Sequence, residues 1–178
     1  PTSVSHQLHE DGKMHTNLLS DFYSFRSNLK KKSGFSFGLD YFSNFQTATA
    51  SLGDNDAFSG VFRFYGNWEL VGKKSGNTGS LVFKVENRHK YGDFIPTQSL
   101  GSEIGYVGLT ATPFSNIKWA LTNFYWFQSF AKGKIKMIAG QVDVTDYANV
   151  YSLVDPWNTF SNLQFSTGAT IPSPNQGF

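Results

Sequence analysis

The sequence predicts an all-β fold, an antiparallel sheet of about six or seven strands preceded by one helix. Three observations predict it. The hydrophobic period changes from 3.6 residues to 2 after Gly34. Clusters of Gly, Asn, Ser and Lys separate the alternating runs. No helical pattern falls between the runs, so the crossover helices of a parallel sheet are missing.

Residues 1–16 are polar and aperiodic, with His6, His9, His15 and an Asp11-Gly12 turn signal. They read as a flexible leader. The histidines have no cysteine or acidic partner at metal-ligand spacing. Residues 17–33 read as a helix. Leu18, Phe22, Phe25 and Leu29 share a stripe, and Thr16 or Asn17 can cap the N-terminus. Lys30, Lys31 and Lys32 suit the negative end of the helix dipole, and Gly34 suits the left-handed residue beyond it.

The sheet occupies 34–178. Phe35, Phe37, Leu39 and Tyr41 alternate with Ser36, Gly38 and Asp40. The clearest strand is 58–70. Phe58, Phe62, Phe64, Trp68 and Leu70 share one face with Gly60 and Gly66. Ser59, Arg63, Tyr65, Asn67 and Glu69 share the other, where Val61 is the exception. A Gly- and Lys-rich turn leads to strand 80–89, with Leu81, Phe83 and Val85 opposite Lys84, Glu86 and Arg88. Further strands are expected at 103–112, 117–130, 134–142 and 158–167, with short turns at 113–116 and 131–134. Residues 143–157 read as irregular or briefly helical.

Composition narrows the function classes. Hydrophobic residues make up 39% and charged residues 16%, both below a typical globular domain, while aromatics reach 17%. There is no apolar run long enough for a transmembrane helix. A net charge of +2 gives no bulk attraction for nucleic acid. With Cys 0 there is no disulfide framework, thiolate nucleophile or thiolate metal site.

Alternation of this kind serves two architectures. One is a soluble sugar-binding β-sandwich with the aromatic face as core. The other is a transmembrane β-barrel, with the aromatic face toward lipid and the charged face toward a water-filled lumen. Three features favour the barrel. The strands at 58–70 and 117–130 are longer than the usual five or six residues, and a tilted membrane strand needs about 9–11. Aromatics gather near strand ends (Tyr41, Phe42, Phe58, Trp68, Trp119), where interfacial girdles sit. Full charges recur on the polar face of successive strands. Six or seven strands would leave two open edges, which hydrocarbon does not tolerate. The chain is therefore expected to be part of a larger barrel, or one of several assembling copies.

Specific strings then carry a resemblance. Gly60–Trp68, Gly79–His89, Gly105–Thr110, Trp119–Trp126 and Ala139–Asp143 resemble the carbohydrate-selective porin family of the OprB type. The run Val154–Asn162, the tail Ile171–Gly177 and the helix before the first strand are similar to it too. The resemblance covers about residues 17–178. It implies the N-terminal half of an outer-membrane barrel of about sixteen strands in a Gram-negative bacterium. Such a barrel passes monosaccharides such as glucose by passive diffusion, in contact with outer-membrane lipid and lipopolysaccharide. It is not an enzyme and uses no cofactor or metal. In such a pore Arg63, Lys84, Glu86 and Arg88 would exchange hydrogen bonds with sugar hydroxyls. Asn67 and Glu69 share their face, and Tyr65 or Trp157 would stack on a pyranose ring. The plainer role for these charges is to pair across strands and shape the lumen.

Other motifs fall away. Asp54-Asn55-Asp56 lacks the Gly and closing Glu of a calcium loop. Gly72-Lys73-Lys74-Ser75 is no phosphate loop, because Asn67 stands where the first Gly belongs and Lys74 interrupts the motif. There is no Gly-x-Ser-x-Gly elbow. One tension remains in the strand assignment. Two short turns, 113–116 and 131–134, fall in succession, whereas a porin alternates short turns with long loops.

Overall fold

The computed structural model describes residues 4–72, 75–143, 146–147, 157–158 and 160–163, with side chains from Leu18 onward. The predicted tail at 171–177 and half of the expected last strand lie outside the described residues.

Helix α1 spans Val4–Ser33, and one antiparallel sheet follows. Its strands are β1 (Phe35–Thr47), β2 (Asp56–Val71), β3 (Gly79–Lys90), β4 (Lys118–Phe130) and β5 (Ile135–Gln141). Each pairs with its neighbour in chain order, and β1 and β5 are the two edges. The four long strands run 13, 16, 12 and 13 residues, well beyond the usual strand length.

The helix ends where the sequence places it. Gly34 adopts φ 79, and its N–H bonds the Lys30 carbonyl at 2.9 Å. The helix begins at Val4 rather than at residue 17, so Thr16 and Asn17 are not caps and 4–16 is not an unstructured leader. Residues 4–16 contain no proline and several good helix formers. The single interior Gly12 costs only about 1 kcal/mol, too little to stop a helix already nucleated downstream.

One expected strand is not formed, and the described part of another is not in a strand. Residues 103–112 belong to a long connection, 91–117, that includes a single helical turn at Leu100–Glu103. Gly105, Val107, Leu109 and Ala111 imitate a period of two there. Instead Gly105 turns the chain at φ 77, and Tyr106 N–H bonds back to the Gly101 carbonyl at 2.8 Å. Within 158–167 the described residues 158 and 160–163 form no strand. They do meet the long connection, through Thr112 N–H to the Ser161 carbonyl and Leu163 N–H to the Leu109 carbonyl. The described sheet therefore has five strands rather than six or seven.

This correction removes the tension over loop lengths. The connections 48–55 and 91–117 lie at one end of the sheet, and 72–78 and 131–134 lie at the other. The ends can be called the loop end and the turn end. The 27-residue gap between β3 and β4 makes the alternation regular.

The two faces follow the predicted parity. The apolar face carries Phe35, Leu39, Tyr41, Phe62, Phe64, Trp68, Leu81, Phe83 and Val85 in register across β1 to β3. On β4 the parity changes once. A bulge opposite Lys84 and Val85 puts Trp119 and Leu121 on the apolar face, and then Phe124 and Trp126. That irregularity explains why 117–130 shows a dense aromatic run with no clean alternation. Phe42, placed among the girdle aromatics by sequence, instead packs on the polar side against Trp157.

Three aromatic rings lie over glycines directly across the strand pair: Tyr65 over Gly38, His89 over Gly60 and Phe83 over Gly66. A Cβ at Gly66 would stand 2.6 Å from the Phe83 ring and 3.0 Å from the Ser36 carbonyl. The Gly66→Val variant is expected to drive Phe83 off Phe35 and Phe64 and to lower stability by about 1–3 kcal/mol, read by denaturant titration.

Candidate functional site

The polar face is built by strand register. Asp40 lies opposite Arg63, Arg63 opposite Glu86, and Tyr65 opposite Lys84. All seven strand residues expected at the site, Arg63, Tyr65, Asn67, Glu69, Lys84, Glu86 and Arg88, share this face.

The face divides into two parts. At the loop end the 91–117 connection folds over it. Thr97 N–H donates to Ser59 Oγ at 3.0 Å, and Thr110 Oγ donates to the Thr97 carbonyl at 2.5 Å. Beneath this cover a small apolar core forms from Val61, Ala111 and Phe114, joined by Phe42 and Trp157. Val61, the apparent exception to the alternation, is the fully buried centre of that core. Arg63 sits at its margin, bonded to Asp40 at 2.7 Å. Its guanidinium lies 4.2 Å from the Trp157 ring centroid and 4.7 Å from that of Phe42. Arg63 and Trp157 are thus brought together, and the Trp157 ring is engaged by Arg63, Phe42 and Phe114.

Toward the turn end the face opens into a cavity of about 330 Å³. Tyr65, Asn67 and Lys84 line it, with Ser36, Asn123, Tyr125 and Asp146. Lys84 Nζ holds Asp146 at 2.8 Å and Asp143 at 3.3 Å. Asn123 ties both acids, donating to Asp146 at 2.7 Å and accepting from Asp143 N–H at 2.5 Å. The Tyr125 and Tyr147 hydroxyls bond each other above this group. Asn67 Oδ1 is buried with no hydrogen-bond partner, and the Tyr65 ring is 40% exposed. Of the two, the Tyr65 ring is the group open to a solute. Glu86 and Arg88 form a third unit, with Arg88 donating twice to Glu86 Oε2, at 2.5 and 2.8 Å. Glu69 takes part in none of these ion pairs.

Each of the basic residues Arg63, Lys84 and Arg88 is therefore matched by a carboxylate, though only Arg63 and Asp40 pair across strands. Sequence reasoning missed Asp143, Asp146, Asn123 and Tyr125. Asp143 and Asp146 lie just beyond β5, and no periodicity marks such positions. Asn123 and Tyr125 are turned to this face by the β4 bulge. No metal-holding group of His, Asp or Glu occurs among the described residues.

No family model matches the chain, and no curated protein or solved structure matches it either.

Proposed function

We propose that this chain forms part of the wall of an outer-membrane porin that passes monosaccharides by passive diffusion, as its resemblance to the carbohydrate-selective family implies. The observation that carries the reading is a sheet of long strands with two opposed faces. One face is a continuous aromatic and aliphatic surface left open to its surroundings. The other carries matched ion pairs and opens into a cavity of sugar size.

The dimensions support it. From Phe58 to Trp68 the apolar band of β2 rises about 33 Å along the strand. At the tilt usual for membrane strands this is about 25 Å of height, the depth of a barrel's lipid-facing band. Groups able to hydrogen bond stand at both borders. Trp68 Nε1 donates to the Ser33 carbonyl at the turn end, and His89 and Tyr91 stand at the loop end, where the Tyr41 hydroxyl reaches them from within the band. A sandwich would cover this face with a second sheet. Among the described residues nothing does so, and Trp119 is 66% exposed. The free edges of β1 and β5 would be paired by further strands or further copies.

In this reading the balanced ion pairs keep the lumen wettable without favouring one sign of ion, which suits a neutral solute. Tyr65 offers an exposed ring face to a passing sugar. The test is sugar flux into proteoliposomes. Glucose is expected to equilibrate across vesicles carrying the full-length protein. Flux no faster than in empty vesicles would refute the reading. Arg63→Ala is expected to leave Asp40 unbalanced and to move ion selectivity toward cations. It also removes a cation–π contact of about 0.5–2 kcal/mol from Trp157. Single-channel reversal potentials check the first effect, and an unchanged potential would remove Arg63 from the pore.

A further inference from the structure

We propose that the C-terminal half of α1 is an interfacial anchor that lies on an anionic phospholipid surface at the turn end of the sheet, an inference that rests on the membrane reading above.

The anchor has a lipid-facing side that the fold leaves open. Leu18 and Phe25 of the apolar stripe, and Leu19 and Tyr23 beside it, are all more than half exposed. Burial within the fold therefore does not account for them. Phe22 reaches the sheet, meeting the Phe37 ring edge to face, and Arg26 donates to the Phe37 carbonyl. Phe37 belongs to the apolar face, so the helix stripe continues that face.

The level of the helix is fixed by the chain. Gly34 separates Ser33 from Phe35, the first residue of β1. Phe35 lies opposite Trp68, and Trp68 bonds the Ser33 carbonyl. The helix therefore leaves the sheet at the border row of the apolar band. In a bilayer that row is the headgroup level, where an amphipathic helix sinks its apolar side by about 5–10 Å.

Charge selects the lipid. Lys30, Lys31 and Lys32 are exposed at the same level, and no acidic residue lies within the last two turns of the helix. Such a cluster favours anionic headgroups over zwitterionic ones, each lysine adding an attraction that falls off within a Debye length. The lysine run thus has a use beyond the helix dipole.

Because the chain has Cys 0, single cysteines can carry an environment-sensitive fluorophore without background. The experiment places one at Leu19 and, in a second preparation, at Phe64 in the middle of the apolar face. Both full-length proteins are reconstituted in phosphatidylcholine vesicles with and without phosphatidylglycerol. The Leu19 label is expected to shift to the blue and to be quenched by shallow lipid quenchers when phosphatidylglycerol is present. Reversal of all three lysines to glutamate should weaken that response about tenfold or more. A Leu19 label in water beside a lipid-buried Phe64 label would overturn the anchor and leave the membrane reading standing. Distance-dependent coupling between Leu19 labels on separate copies, in place of lipid contact, would also overturn it. Both labels in water would overturn the membrane reading and the anchor together.

Discussion

Arg88→Met is expected to destabilise the fold by about 3–5 kcal/mol, the cost of removing one partner of a buried ion pair. The Glu86 side chain is 2% exposed, and Arg88 supplies both of its ion-pair hydrogen bonds. Removing the guanidinium strands a carboxylate in a site that water does not reach. The double variant Glu86→Gln with Arg88→Met removes the stranded charge as well, and should recover most of the loss. Arg63, which lies across from Glu86 in the register, is committed to Asp40 and is not expected to substitute. Urea unfolding of the wild type, both single variants and the double variant gives the coupling directly. A loss below about 1 kcal/mol for Arg88→Met would show that the pair is a surface-like contact and not a buried one.

Lys84→Met should behave similarly in sign and less steeply in size. Asp143 is buried against Lys84, but Asp146 is open to water and also accepts a hydrogen bond from Asn123. The exposed acid can keep its hydration, so the loss is expected to be about 1–3 kcal/mol. The retained acids should also draw cations into the cavity, which reversal potentials would register.

Much of the sheet was legible because a strand's period of two is a strong constraint when one face is apolar. The parity of Phe62, Phe64 and Trp68 against Arg63, Tyr65 and Glu69 could be read residue by residue. The 103–112 segment shows how the same signal fails. Gly105, Val107, Leu109 and Ala111 satisfy the pattern, but Gly105 takes a positive φ and turns the chain back on itself, out of the sheet. The helix start failed for the opposite reason, because polar residues 4–16 show no period yet contain nothing that stops a helix. At the site, Arg63, Lys84, Glu86 and Arg88 could be placed on one face by counting. The partners of Lys84 could not. Asp143 and Asp146 reach Lys84 from more than fifty positions away, and a bulge of one residue turns Asn123 toward them. Parity is a local property, and pairing across distant strands is not.

Replacing Leu121 or Leu39 by arginine is expected to cost about 2–4 kcal/mol in a bilayer, and this is the sharpest test of which solvent the apolar face meets. Both residues lie in the row Leu39, Phe64, Val85, Leu121, midway along the apolar band. They are 51% and 42% exposed, so a protein standing in water would lose about 0.5 kcal/mol or less from the change. The two solvents therefore predict costs several-fold apart for the same substitution. Depth sharpens the contrast. Leu70 lies on the same face but at the border of the band, where arginine costs only about 0–1 kcal/mol in lipid. Tyr65, on the polar face, should accept arginine at small cost in either medium. The lipid reading thus requires a gradient, steep for Leu39 and Leu121, shallow for Leu70, and small for Tyr65. Equal and small costs at all four positions, measured by reversible unfolding in vesicles, would place the aromatic face in water. The exposed rings would then need a protein partner in place of a membrane, and the open edges of β1 and β5 would be where to look for it.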